Sequence, residues 1–127
     1  MQEKDWYEYA VIRLVPRVER GEYLNIGLVL YCKNLKKVFI KTHLDSQKIN
    51  CLFPAIDFEE LGNHIFAFEK ICNATPDSGV IGQQDAPSRF RWLTAKRSTI
   101  IQTSEVHPGF SSNIENTFDK IFKEMVL

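Results

Sequence analysis

The sequence predicts an α+β domain: an antiparallel sheet of about five strands, with helices packed mainly on one face. Three apolar, β-branched segments in the first third favour a meander, because short polar connections separate them. Two amphipathic helical segments and a final helix flank a stretch with two strand-like arms. Since the helices do not alternate singly with the strands, this order favours α+β over a parallel sheet. At 127 residues, we expect one domain, 1–127.

The predicted meander has strands at 9–15, 24–32 and 37–43. Alternation in the second strand would place its leucine and isoleucine side chains on one face: Leu24, Ile26, Leu28 and Leu30. Gly27 interrupts that strand and is typical of a bulge. The alternative is that Gly27 leaves space for a ligand or a partner.

Helix-start signals follow the meander. Asp45 is predicted to cap a short helix that ends at Pro54, and Asp57 a longer one, with Glu60 in the capping-box position. Apolar residues recur at spacings of three and four along the longer helix: Phe58, Leu61, Ile65, Phe68 and Cys72. This stripe indicates a core-facing helix; a groove for a partner is the alternative.

A stretch rich in Gly, Pro, Asp and Ser, 73–88, is predicted to be a long loop, either a lid or a flexible connection. It leads into a predicted β-hairpin with arms at 89–94 and 98–104, in which Arg91 would face Gln102. The final helix has Ser112 and Glu115 in capping-box positions.

The predicted core draws on the strands and on both longer helices. Its members are Ile12, Leu14, Ile26, Leu28, Leu61, Ile65, Phe68, Trp92, Phe118 and Phe122. Trp92 has the alternative role of a surface anchor.

The predicted hairpin is also the best candidate for a binding site. No acid lies between Asp85 and Glu105, although the chain has zero formal net charge. The candidate ligand-binding residues are Arg89, Arg91, Lys96, Arg97, Gln102, Ser104 and His107. Arginine forks match the oxygens of carboxylates and phosphates. The alternatives are a solvated face whose arginines pair with Glu19 or Glu22, and a turn or capping role for His107.

The sequence lacks a P-loop, a GxGxxG and an HExxH pattern. The three histidines have no metal-ligand spacing with one another or with the cysteines. No acid is placed to orient a nucleophile and base drawn from Ser98, Ser104 and His107, apart from Glu105. We therefore expect no cofactor, no metal and no catalysis by the protein on its own.

Composition favours a cytoplasmic protein. Zero net charge argues against a general nucleic-acid coat protein. Cys32, Cys51 and Cys72 are odd in number and far apart, which favours free thiols in a reducing cytosol. The first ten residues lack a basic segment followed by an apolar run, and no apolar stretch approaches bilayer length.

Two long segments carry a family resemblance: YAVIRLVPRVERGEYLNIGLVLYC at 9–32 and RFRWLTAKRSTIIQTSEVHPG at 89–109. They resemble a bacterial family of unknown function numbered 3037. The resemblance implies a small protein encoded beside a HipA-like kinase-fold protein, and hence a partner protein more than a stand-alone enzyme. It implies no catalytic residues.

Together these features favour a non-catalytic protein-interaction module, with a HipA-like kinase as one possible partner. One alternative is a phosphate- or nucleic-acid-binding domain that uses residues 89–104. The other is a small hydrolase or nuclease, which would need an acid cluster that the sequence does not show.

Overall fold

The computed structural model describes residues 4–97 and 99–127. Ser98, where the second arm of the predicted hairpin begins, lies outside them, as do residues 1–3. The described chain forms five strands, five α-helices and one turn of 3-10 helix, Val18–Arg20.

The strands form one antiparallel sheet. They are β1 Asp5–Leu14, β2 Leu24–Cys32, β3 Lys37–Thr42, β4 Ile101–Thr103 and β5 His107–Ser111. The first three pair in the order β3-β2-β1, which confirms the meander. The short strands β4 and β5 both pair with β1, β4 with Ile12–Leu14 and β5 with Asp5–Tyr9. The α+β class with a five-stranded antiparallel sheet is thus confirmed.

Most of the helices cover one face of the sheet, as predicted. They are α1 Ser46–Leu52, α2 Phe58–Cys72, α3 Gly79–Gly82, α4 Ala86–Leu93 and α5 Ile114–Met125. Buried residues of α1, α2 and α4 share a cluster with one face of β1. The amphipathic α5 packs its apolar side on the opposite face. Among the described residues, no helix is long and apolar enough to cross a membrane.

A bulge in β2 changes which of its side chains share a face. Ile12 pairs with Gly27 but Arg13 pairs with Asn25, so Ile26 is the extra residue. Ile26 therefore joins the α2 side, whereas Leu28 belongs to the α5 side. The predicted bulge is confirmed, and the predicted uninterrupted alternation is wrong.

The space beside Gly27 is occupied by the neighbouring strand. A Cβ placed there would lie 2.9 Å from the carbonyl oxygen of Lys41 and 3.0 Å from the Thr42 methyl. The absent side chain thus lets β3 approach closely. The alternative of an open space for a ligand is wrong.

The predicted hairpin is wrong because its first arm is helical. Asp85 caps α4 by accepting a hydrogen bond from the Ser88 N–H at 3.0 Å, and the helix buries Ala86, Phe90 and Leu93 at spacings of four and three. The second arm supplies β4, which pairs with β1. Arg91 therefore does not face Gln102. The predicted loop, 73–88, also contains α3 and the start of α4.

The helix starts are mostly those predicted. The Asp45 and Asp57 carboxylates each accept a capping hydrogen bond of 3.1 Å, from Lys48 and Glu60 N–H groups respectively. In α5 the cap is Asn113 instead of Ser112, because the Asn113 side chain accepts from Asn116 N–H.

The predicted core is confirmed except at one position. The confirmed members are Ile12, Leu14, Ile26, Leu28, Leu61, Ile65, Phe68, Phe118 and Phe122. Trp92 is 37% exposed and lies against Phe68, with 6.1 Å between ring centroids. It faces outward because α4 already buries Phe90 and Leu93 on its inner side.

Candidate functional site: a basic cleft beside β4

The structure separates the seven predicted site residues into three groups. Three line one cleft: Lys96, Arg97 and Gln102. Two support the backbone: Arg89 and Ser104. The other two are exposed elsewhere: Arg91 on α4 and His107 on β5. Only Lys96, Arg97 and Gln102 of the seven therefore share a cleft.

Arg89 is a helix cap. Its guanidinium donates hydrogen bonds to the carbonyl oxygens of Cys72, of Ile71 at 3.3 Å and of Gln84 at 3.1 Å. The first two carbonyls belong to the last turn of α2. A cation there satisfies groups without intrahelical partners and opposes the negative end of the helix dipole. This explains Arg89 without a ligand.

Ser104 completes the edge of the sheet. Its side chain is buried, at 7% exposure. The hydroxyl accepts from the Val11 N–H at 2.8 Å and donates to the Glu105 carbonyl at 2.9 Å. With both bonds made to backbone groups, the hydroxyl holds the end of β4 against β1.

His107 does not occupy the predicted turn. It is the first residue of β5 and pairs with Tyr9, whose ring centroid lies 5.4 Å from that of the imidazole. The imidazole is exposed. The predicted turn or capping role is therefore wrong.

The cleft lies at the outer edge of β4. Its volume is about 390 Å³, and its walls come from Val18, the Lys96–Arg97 pair, Gln102 and Thr103. The Val15 N–H donates to the Ile100 carbonyl and the Ser104 N–H donates to the Val11 carbonyl, so residues 100, 102 and 104 direct their backbone groups toward β1. Thr103 lies between two of these residues and therefore directs its N–H away from β1, toward the free edge of the sheet.

Arg97 is held in place by aromatic rings. Its guanidinium carbon lies 4.4 Å from the Trp92 ring centroid and 5.2 Å from that of Phe68, and the group donates to the Trp92 carbonyl. Burial lowers the pKa of Arg97 from its ordinary value. Cation–π contact stabilises the guanidinium but leaves its positive charge uncancelled.

The charges of Lys96 and Arg97 have no acidic partner within 4.0 Å among residues 4–97 and 99–127. Glu19 pairs with Arg17 at 2.7 Å, and Glu22 with Arg20 at 2.7 Å. The alternative that these glutamates neutralise the predicted arginine site is therefore wrong. The cleft offers two adjacent, uncompensated cations.

A second, larger pocket was not anticipated from the sequence. It measures about 560 Å³ and lies between the β1–β2 connection and the α1–α2 connection. Five successive apolar residues, Leu52–Ile56, line it from the end of α1 and the connection that follows, together with Pro16 and Ile100. The unbroken apolar run where α1 leads into α2 is the sequence feature that could have indicated this pocket.

The described residues contain no group of three or more His, Cys, Asp or Glu side chains able to hold a metal ion. Burial raises the pKa of the Cys72 thiol to about 12, so this thiol stays protonated at neutral pH.

Comparison with curated proteins found no match, and comparison with solved structures found none either. A family model does match, over residues 9–126, which include β2–β5, all five helices and most of β1. Its description is "Protein of unknown function (DUF3037)". The chain therefore belongs to this family, as the two segments at 9–32 and 89–109 indicated.

Proposed function

We propose that the protein is an interaction module whose basic cleft binds an acidic segment of a partner protein. One observation carries the proposal: Lys96 and Arg97 lie side by side in the cleft without an acidic partner within 4.0 Å among the described residues. An oxyanion bound in the cleft would receive charge-assisted hydrogen bonds from these cations.

The cleft combines a fixed cation with an adaptable one. Arg97 is held against Trp92 and Phe68, so it loses little conformational entropy on binding. Lys96 is exposed and free to adjust its ammonium group. Gln102 already donates to the Thr99 carbonyl at 3.0 Å, which orients its amide beside them.

The size of the charged patch favours a discrete acidic group over a nucleic-acid backbone. A nucleic-acid surface normally presents a row of cations along its contact. Here Arg89 is used as a helix cap, and Arg91, on α4, does not line the cleft. With zero net charge on the chain, attraction of an acidic segment would arise from the cleft itself.

A capture experiment with a matched pair of lysine variants tests the proposal. The tagged protein, Lys96→Gln and Lys123→Gln are compared by pull-down from the native host with mass spectrometry. Lys123 is exposed on α5, outside the cleft, and serves as the control. We expect a partner that is captured by the wild type and Lys123→Gln, is lost with Lys96→Gln, and is released as salt rises.

Two treatments of the extract separate the alternatives. Loss of capture after phosphatase treatment would identify a phosphate as the acidic group, and loss after nuclease would favour the nucleic-acid alternative. The HipA-like kinase implied by the family resemblance is the first purified partner to test. Equal capture by all three proteins would refute a role for the cleft.

A further inference from the structure

The larger pocket presents apolar contact surface to solvent. Leu52, at the end of α1, is 52% exposed although it lines the pocket, and Phe53 and Ile56 are only partly buried. The volume of about 560 Å³ falls within the range of binding pockets, about 300–1,000 Å³. Apolar groups gathered in a concave site are typical of binding pockets.

Five charged residues line the pocket, and one of them, Glu60, is exposed with its carboxylate 3.6 Å from His64 Nε2. The other four are paired or hydrogen-bonded. Arg17 and Arg20 bind Glu19 and Glu22, each at 2.7 Å. Asp57, also in the lining, accepts the capping hydrogen bond of α2 at 3.1 Å. The pocket is thus complementary to an apolar group, in contrast to the uncompensated cations of the basic cleft.

The pocket and the basic cleft share two segments of the chain in their walls. In the β1–β2 connection, Arg17 lines the pocket and the next residue, Val18, lines the cleft. At the start of β4, Ile100 lines the pocket and Gln102 lines the cleft. The pocket and the cleft are therefore neighbours along both shared segments.

We propose that this pocket holds an apolar side chain of the same partner segment whose acidic group lies in the basic cleft. The inference rests on the proposed function and specifies the partner as a segment with one apolar and one acidic determinant. The apolar side chain acts as the buried anchor, and the acidic group fixes its orientation.

Selection from a random twelve-residue peptide library displayed on phage tests the inference without knowledge of the partner. The library is selected in parallel on the full-length wild type, Leu52→Gln, Lys96→Gln and Leu35→Gln. Leu35 is 51% exposed and lies outside both sites, so it matches Leu52 in exposure. We expect wild type and Leu35→Gln to select peptides with an acidic and an apolar residue at a constant spacing.

The variants should separate the two determinants. Leu52→Gln should lose apolar enrichment and bind a synthetic copy of the selected peptide about tenfold more weakly, while it still selects acidic residues. Lys96→Gln should lose the enrichment of acidic residues, while it still selects apolar residues.

The remaining outcomes are decisive as well. Acidic peptides without apolar enrichment would refute the pocket but leave the proposed function standing. Apolar enrichment that is sensitive to Leu52→Gln, without acidic enrichment, would support the pocket and refute the basic cleft. If no peptide is enriched, both proposals are wrong.

Discussion

Arg89 stabilises the fold through three carbonyl groups that a smaller side chain would leave without this donor. We expect Arg89→Ala to lower the free energy of unfolding by about 2 kcal/mol, since hydrogen bonds to charged groups contribute more than neutral ones. Urea unfolding measures this. Arg91→Ala, exposed on the same helix, should change stability by less than about 0.5 kcal/mol. Equal losses in the two variants would contradict the capping role.

Cys72 makes stability depend on alkaline pH. Its buried thiol donates to the Val38 carbonyl at 3.4 Å, and its pKa is about 12, against an ordinary value of 9.0. Because the folded-state pKa is the higher one, the contribution is fully present below about pH 9 and is lost as pH rises toward 12.

The stability advantage of the wild type over Cys72→Ala should therefore shrink between about pH 9 and pH 12, as measured by urea unfolding at several pH values. Cys51→Ala, at an exposed position, controls for general alkaline effects on the chain. An advantage of constant size would show that the thiol proton does not contribute.

Single-residue roles were only partly predictable from the sequence. Lys96 and Arg97 were identified because an acid-free stretch shows excess charge whatever its fold. Arg89 belongs to the same stretch, but its role depends on the end of α2, 17 residues earlier. The sequence gives the chemical type of each side chain, whereas its contacts depend on which chain segments pack nearby.

At the scale of elements, α4 shows how local signals compete. Aromatic residues in 89–94 favour a strand by propensity. The actual helix begins with Asp85 as cap and Pro87 in the first turn, and it buries Phe90 and Leu93 on one side. Burial of this stripe against α2 and the sheet outweighs a weak intrinsic preference. Asp85 followed by Pro87 is the sequence feature that indicates this helix.

Gly27 in β2 and Gly62 in α2 should respond in opposite ways to substitution by alanine. Gly27→Ala should destabilise by about 1–3 kcal/mol, because the new Cβ would lie 2.9 Å from the Lys41 carbonyl oxygen. Gly62→Ala, inside α2 with nothing within 4 Å, should stabilise by about 0.5–1 kcal/mol through helix propensity. Chemical unfolding compares both with wild type. A stabilising Gly27→Ala would mean that β3 is free to move away.

On the scale of the whole molecule, the two faces of the sheet were more predictable than the clefts. Alternation along β1 assigns Ile12 and Val11 to opposite clusters, and such patterns are local. The clefts combine the connections 16–22, 52–57 and 96–103, which only the topology brings together. Surface sites built from distant connections leave no periodic trace in the sequence.

The two clusters of buried residues share the backbone of β1 and β2, so they should unfold together as one domain. Phe118 lies on the α5 side, 5.8 Å from Phe39 between ring centroids, and Trp92 lies on the α2 side against Phe68.

In a Trp6→Phe background, Trp92 is the only tryptophan and reports fluorescence from the side opposite Phe118. We expect Phe118→Ala to lower the unfolding free energy that Trp92 reports by about 3 kcal/mol. Circular dichroism at a helical wavelength should give the same midpoint. If Trp92 reported the unchanged midpoint while helical signal was lost earlier, α5 would be an independently unfolding unit and the single-domain prediction would be wrong.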